Sequence, residues 1–330
     1  MNYHGRNFSQ RISVFLTVNE VLPELKKIKK KEKIRSLAII VPCRNGAKYL
    51  QESLDSLEAQ EEWPERIILS DNLSTDNSRE MMLNFLARNG VGEIVSSTKY
   101  LEEVGQSFNF AASFSNEDWI LFLHSDDILS PKAVSKIRRE ISNVDSNVGL
   151  ISFEAEWIDQ NSKLTRSKFA FGPRRIESGL KFVTDNLSGS SINFGAVVIN
   201  NRIFNEIGCF ESKNSYWLDL KYYHKLVVSG YAIRKVSTPI LRYRIHQEPR
   251  LADNRADIDA RNRLHWHEEY LPELARKLRI DLHQSQSPQS LRVKLKLFLK
   301  RENRTKHALR KVSLCARKLM DRTGFGMFAR

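Results

Sequence analysis

Two carboxylates stand side by side in Leu123-His124-Ser125-Asp126-Asp127-Ile128-Leu129, at the end of the apolar run Trp119–His124. Adjacent carboxylates at the end of a buried strand are costly unless they are paired or bound to a cation. Oxygen ligands of this kind suit Mg²⁺ or Mn²⁺. A solvated loop explains an Asp-Asp pair as readily, but the place between an apolar strand and a capped helix favours the metal. A second cluster, Asp71-Asn72-Leu73-Ser74-Thr75-Asp76, follows the apolar stretch Arg66–Ser70. A carboxylate there can accept the ring N–H of uracil or a similar base. Helix capping accounts for Ser74, Thr75 and Asp76, but not for Asp71 on the strand end.

The elements that must hold these clusters read as alternating strands and helices. Leu37–Val41 is a continuous aliphatic run, as in a strand buried on both faces of a parallel sheet. After the turn Pro42–Gly46, Ala47, Leu50, Leu54 and Leu57 recur at helical spacing. Arg66–Ser70 predicts a second strand, followed by a helix through Met82, Phe85 and Leu86 that Asn89-Gly90 ends. Glu93–Ser96 and Trp119–His124 predict further strands, and Ser130-Pro131 predicts an N-cap with proline in the first turn of a helix carrying Val134, Ile137 and Ile141. This rhythm is that of an α/β open sheet, whose ligands sit beyond the carboxyl ends of the strands. Three such ends carry Pro42–Gly46, Asp71–Asp76 and Ser125–Asp127.

The second half is less regular. Gly149–Trp157, Ile192–Asn200, Tyr231–Val236 and Ile240–Ile245 predict strands, and Arg202–Ile207 and Asp219–Ser229 predict helices. A helix is expected over 19–35. Beyond Arg250 the chain turns charged and is read as mainly helical, through Leu309, Val312, Ala316 and Leu319. The resulting division is a basic leader (1–35), a catalytic domain (36–250, halves 36–130 and 131–250) and a basic helical C-terminal extension (251–330).

Of the net charge of +14, residues 24–35 hold +5 and residues 290–330 hold +11, so the central body is mildly acidic. Basic flanks suggest an anionic partner. No stretch of 18 apolar residues is present, the short tract Val14–Val18 does not make a secretory signal, and three widely spaced cysteines suit a reducing compartment.

The runs LAIIVPCRNGAKYLQESLDSLEAQ, RIILSDNLSTDNS and VGQSFNFAASFSNEDWILFLHSDDIL resemble family 2 inverting glycosyltransferases of the GT-A fold. The similarity runs from Ser36 to Gln247, roughly two-thirds of the chain. It implies a nucleoside diphosphate sugar donor, expected to be UDP-linked, a Mg²⁺ or Mn²⁺ cofactor, and a glycan or lipid-linked acceptor hydroxyl. It places Pro42, Arg44, Asn45, Asp71, Asn109, Ser125 and Asp126 at the nucleotide sugar, and Asp126, Asp127 and His246 at the metal. Gly105 and Asn109 match the segment before the metal motif. The looser second half places Asp219 as catalytic base and Asn193, Gly195 and Trp217 at the acceptor. A helix N-cap or first-turn role suits Asp219 as well, and Trp217 reads equally as core.

The chain departs from that family twice. His124 stands where many members have the first Asp of the Asp-x-Asp motif, and Leu218 where many have Glu before the base. His124 reads equally as a ribose or phosphate contact and as a satisfied strand-end histidine. These departures keep open a catalytically silent nucleotide-sugar-binding relative. A nucleotidyltransferase is excluded because Pro42–Leu50 holds one glycine and no glycine-rich phosphate loop. The C-terminal flank has few of the aromatics with which a nucleic-acid module stacks on bases, and a solvated helical face is one reading of it. Its Leu295, Phe298, Leu299, Leu319, Phe325 and Phe328 suit an anionic membrane surface instead, which predicts a cytoplasmic, peripheral place on the inner face and a setting in bacterial surface polysaccharide or lipopolysaccharide assembly.

Overall fold

Residues Leu37–Val41 are all fully buried, as a continuous aliphatic run must be when helices cover both faces of its sheet. The computed structural model describes residues 35–166, 175–178, 190–213 and 217–245, with 182–183, 185–186, 269–270 and 272–274. The expected leader helix, most of the C-terminal extension and His246 lie outside them. The described residues belong to one compact unit, Arg35–Arg330.

The elements are β1 (Leu37–Cys43), α1 (Ala47–Glu58), β2 (Arg66–Asp71), α2 (Ser78–Asn89), β3 (Glu93–Ser96), α3 (Val104–Ala112), β4 (Trp119–Phe122), β5 (Ile128–Leu129), α4 (Ala133–Ser142), β6 (Val148–Ile158), β7 (Leu164–Arg166), β8 (Arg175–Ser178), β9 (Val197–Asn200), α5 (Asn201–Glu206), α6 (Leu218–Val228) and β10 (Ala232–Arg244). They form one ten-stranded sheet in the order β3-β2-β1-β4-β9-β6-β10-β5, with β7 on β6 and β8 on β10. The first four strands are parallel. Beyond β4 the sheet is mixed: β9 runs antiparallel to β4 and β6, while β6 and β10 are parallel.

Alternation along β1 divides the core. Leu37, Ile39 and Val41 join α1, α2 and α4 through Leu54, Phe85 and Ile137. Ala38 and Ile40 join α3, α5 and α6 through Phe108, Phe204 and Leu220. Leu274 is buried in that second cluster too, and Tyr270 packs against it, so part of the C-terminal extension rests on the catalytic body.

Three expectations are corrected. Helix α4 begins at Ala133, without a side-chain cap from Ser130, whose backbone N–H is donated to Ile240 O on β10 at 2.8 Å. The buried Gln60 does the capping instead: its Oε1 accepts the Val134 N–H at 3.1 Å and its amide donates to Ser130 O at 2.8 Å. The two strands expected on either side of Pro239 are one, β10, with Pro239 accommodated at a register irregularity. The strand expected over Ile192–Asn200 is a 3₁₀ turn at Phe194–Ala196 followed by β9.

Helix α3 was not anticipated, and it carries the tightest backbone contact to the second half. A Cβ on Gly105 would fall 2.0 Å from Glu211 O and 3.1 Å from a Leu218 methyl. Gly105→Ala is therefore expected to lower stability by about 2 kcal/mol or more in urea unfolding, although alanine favours a helix by about 1 kcal/mol. Gly90→Ala, at a left-handed cap (φ 65°) with open space around it, should cost only about 1–2 kcal/mol.

Candidate active site at the carboxyl ends of the strands

Strands β1, β2 and β3 end in register, with Cys43 opposite Asp71 and Asp71 opposite Ser96. Asp71 is buried, and its Oδ1 accepts the Ser74 N–H at 3.0 Å while its Oδ2 lies 3.5 Å from Arg79. The loop after β2 also serves the previous helix. Ser74 Oγ, Ser78 Oγ and Asp76 Oδ2 accept the N–H groups of Asn45, Gly46 and Ala47 at 3.0, 2.9 and 3.0 Å. These donors open α1 and have no partner within the helix. Ser74 and Asp76 thus cap α1, in addition to the bond Asp76 makes with the Ser78 N–H at the start of α2.

Asn45 completes the latch, its Oδ1 accepting the Thr75 N–H at 2.8 Å. Arg44 is exposed; it donates to Asn72 O at 3.0 Å and its guanidinium lies 3.7 Å over the Tyr100 ring. The Asn72 side chain clamps the Leu101 backbone in both directions, at 2.8 and 2.9 Å. Of the residues expected at the nucleoside, Pro42, Arg44, Asn45 and Asp71 therefore share one crevice. Asn72, within the cluster after β2, and Tyr100, which nothing in its spacing marks out, also shape it.

The Asp-Asp turn lies beside that crevice. Leu123 N–H bonds to Ile40 O at 2.9 Å, and a Cβ on Gly46 would sit 3.0 Å from Ser125 Oγ. His124, Ser125 and Asp126 are half-buried, whereas Asp127 is fully buried. Ligand atoms of His124, Asp126 and Asp127 lie within 4.8 Å of one another. Asp127 Oδ1 accepts the Arg244 N–H at 2.9 Å, and its Oδ2 lies 3.5 Å from His124 Nδ1.

The Arg244 side chain is buried behind this turn. Its Nε donates to Asp126 O at 2.8 Å, its Nη1 to Ser162 Oγ at 2.8 Å, and its Nη2 to Glu52 at 3.1 Å. Gly195 supports the turn from the other side, since a Cβ there would come 2.7 Å from Asp127 Oδ2. Asn193 Oδ1 holds the Gly195 N–H at 3.0 Å. These two residues, expected at the acceptor, thus brace the Asp127 turn. Carboxylates and an imidazole whose ligand atoms lie this close are a donor set that a divalent cation such as Mn²⁺ or Mg²⁺ can use.

Asp219 stands in the first turn of α6, half-buried, after Trp217 in a left-handed conformation (φ 49°). Burial pushes its carboxyl up to about 6, against the pull of the Leu220 N–H and its own. Trp217 is half-buried and packs on the second core cluster. Helix α3 joins this region to the Asp-Asp turn. Asn109 spends its amide on the Phe210 backbone at 2.8 and 3.0 Å, so its observed task is to fix the approach to α6. One turn earlier Gly105 meets Glu211 and Leu218, while Phe108 packs on His124, Phe194 and Phe210.

Two outcomes are expected. Arg244→Met leaves the carbonyls of Asp126 and Asp159 without their donor, and should lower stability by about 2–4 kcal/mol in urea unfolding. Arg244→Lys should rescue little of it, because an ammonium cannot span the same fork. For Asp219 the folded value, about 6, lies above the ordinary 3.8, so its stabilising contribution is complete below pH 3.8 and lost as pH rises through 6. Asp219→Asn should therefore melt above the parent at pH 7.5, by on the order of 1–2 kcal/mol, with the gain fading between pH 6 and 4.

Residues 38–198 match the profile of Glycosyl transferase family 2. An uncharacterized glycosyltransferase of Nostoc sp. is 26% identical over 141 residues, 43% of this chain and 43% of that protein. One of Rickettsia typhi is 23% identical over 234 residues, covering 70% of this chain and 69% of that protein. The chain thus spans less than half the length of the first relative and about two-thirds of the second. Among solved structures, S. aureus TarS superposes with a TM-score of 0.56 at 16% identity, over 81% of this chain and 43% of that one. Its 1-349 fragment in complex with UDP-GlcNAc superposes with a TM-score of 0.55 at 15% identity, over 89% and 93%. At that identity the likeness is one of fold, and it extends the profile match into the second half of the sheet. Over residues 38–198 the chain is thus similar to family 2 of the glycosyltransferases, and its fold is that of the GT-A type.

Proposed function

We propose that this chain transfers a sugar, with inversion, from a nucleoside diphosphate sugar to the hydroxyl of a glycan or lipid-linked acceptor. The observation that carries this reading is Asp219: a first-turn carboxylate that burial raises to about 6, joined to the Asp-Asp turn by α3. Such a group is ionised at neutral pH and basic enough to take a proton as the acceptor oxygen attacks the anomeric carbon. The bond from that carbon to the leaving diphosphate breaks, and the proton goes to Asp219. Asp71, Arg44 and Asn45 bind the nucleoside, and Trp217 borders the acceptor side. A divalent cation at Asp126 neutralises charge on the leaving diphosphate when bound. The TarS fragment was solved with UDP and with UDP-GlcNAc, which supports a UDP-linked donor here.

The strongly basic segment 290–330 supports a peripheral place on an anionic membrane, at its cytoplasmic face, in surface polysaccharide assembly. Asp219→Asn should reduce kcat for transfer by about 10²–10⁴-fold while leaving donor affinity within a few-fold. In the parent, kcat/KM should fall below pH 6 as Asp219 is protonated. If transfer and slow donor hydrolysis both survive the substitution, Asp219 is not the base. Donor binding with no transfer to any acceptor fits the silent relative that His124 and Leu218 keep open.

A further inference from the structure

Helix α6, whose first turn carries Asp219, buries its polar residues as well as its apolar ones. Leu218, Leu220, Tyr222, Tyr223, Leu226 and Val227 are joined in the interior by Lys221 and His224. An amphipathic helix ordinarily turns such polar residues to water. Here a residue of the C-terminal extension covers them. The Tyr270 ring stacks on the His224 imidazole at 6.1 Å with 21° between the planes, and its hydroxyl lies 3.2 Å from His224 Nδ1. Lys221 Nζ sits 5.9 Å from the centre of the same ring and donates to Glu211 at 2.9 Å. One turn on, Lys225 Nζ donates to Gly208 O and Cys209 O at 2.6 and 3.2 Å.

The first turn of α6 has no side-chain cap, and Trp217 leads into it in the left-handed conformation (φ 49°). A helix of 11 residues is marginal in isolation, so the place of its first turn is set by what grips its body. The loop Gly208–Glu211 grips it from the side of α3, where Glu211 O abuts Gly105. Tyr270 closes the face that carries Lys221 and His224. We propose that Tyr270 is a positioning residue: by holding Lys221 and His224 it fixes the rotation and depth of α6, and with them the place of the Asp219 carboxylate. The inference rests on Asp219 as the base and gives the C-terminal extension a part in setting it. At about 1.5 Å of rise per residue, His224 stands roughly 7.5 Å along the axis from Asp219, so a tilt or rotation at one is felt at the other. A reacting group displaced by about 1 Å costs on the order of 10²-fold in rate.

The test compares the full chain with Tyr270→Phe, which keeps the ring, and Tyr270→Ala, which removes it. Hydrogen exchange reads the helix and needs no substrate. In Tyr270→Ala the amides of Leu218–Val228 should exchange about tenfold or more faster, and in Tyr270→Phe within about threefold of the parent. Hydrolysis of UDP-GlcNAc, with water as acceptor, reads the base. Tyr270→Ala should lower its kcat by about 10–100-fold, while calorimetry finds UDP affinity within about twofold of the parent. A loss that runs through Asp219 cannot be taken twice, so in Asp219→Asn the same substitution should lower kcat by less than about twofold more. Tyr270→Leu carries the same expectations where Tyr270→Ala does not fold. Unaltered exchange or unaltered kcat in a folded variant, or an equal loss of kcat in both backgrounds, overturns the proposal. So does a loss of UDP affinity in step with kcat, the sign of general loosening. If the parent hydrolyses no UDP-GlcNAc, or Asp219→Asn hydrolyses it as fast as the parent, the reading of Asp219 fails, and exchange alone still decides whether Tyr270 holds α6.

Discussion

A single buried guanidinium, that of Arg244, ties together four parts of the chain that the sequence keeps far apart. It reaches Glu52 on α1, Asp126 at the metal turn and Ser162 after β6, from a residue at the end of β10. Taking an ion out of water costs several kcal/mol unless its donors are all met. Here most are: the carbonyls of Asp126 and Asp159, the Ser162 hydroxyl and the Glu52 carboxylate accept from it, and the Tyr49 ring lies 4.3 Å from the guanidinium. The backbone N–H of the same residue holds Asp127. The Asp-Asp turn is therefore shaped by the last strand of the sheet, and it can take this form only once β10 is in place.

This dependence explains why the two halves of the sheet differ in legibility. Strands β1 and β2 announce themselves as aliphatic runs, and α1 and α2 follow with helical spacing, because burial on both faces leaves the chain little choice of residue. The ends of those strands then mark the crevice proposed for the donor. Helix α3 escaped because it has no side-chain cap and its glycine lowers local propensity. It is held from outside, by Glu211, Leu218 and Phe210. The same holds for the start of α4, which Gln60 sets from another helix, and for β10, which continues through Pro239 because its neighbours continue. Local chemistry was readable; partners more than seventy residues away were not.

The site residues divide along the same line. Asp71, the Asp-Asp pair and Asp219 could be proposed from type and position, although a cap or first-turn role accounts for Asp219 as well. For Asn193, Gly195 and Asn109, position suggests a place near the site but not what each of them holds in the fold. All three lie near the site, where the amides of Asn193 and Asn109 hold backbone groups and the missing Cβ of Gly195 leaves room for the Asp127 carboxylate. Proximity to a site in sequence motifs does not separate a ligand contact from a brace, because both require a small or amide side chain.

Among the described residues, the non-glycine positions with positive φ are Asn45, Leu73, Ser162 and Trp217. Each such conformation costs on the order of 1–2 kcal/mol for an L-residue, and each of these lies beside a functional group rather than scattered over the surface. Asn45 and Leu73 flank the donor crevice, Ser162 receives Arg244, and Trp217 precedes Asp219. The contacts that hold them also build the site: Ser74 and Thr75 grip Asn45, and Glu52 and Arg244 grip Ser162. Strain is tolerated where several bonds over-determine one loop. The Asp-Asp turn and the first turn of α6 are each placed by such a loop, so the precision of the site rests on braces rather than on the catalytic side chains themselves.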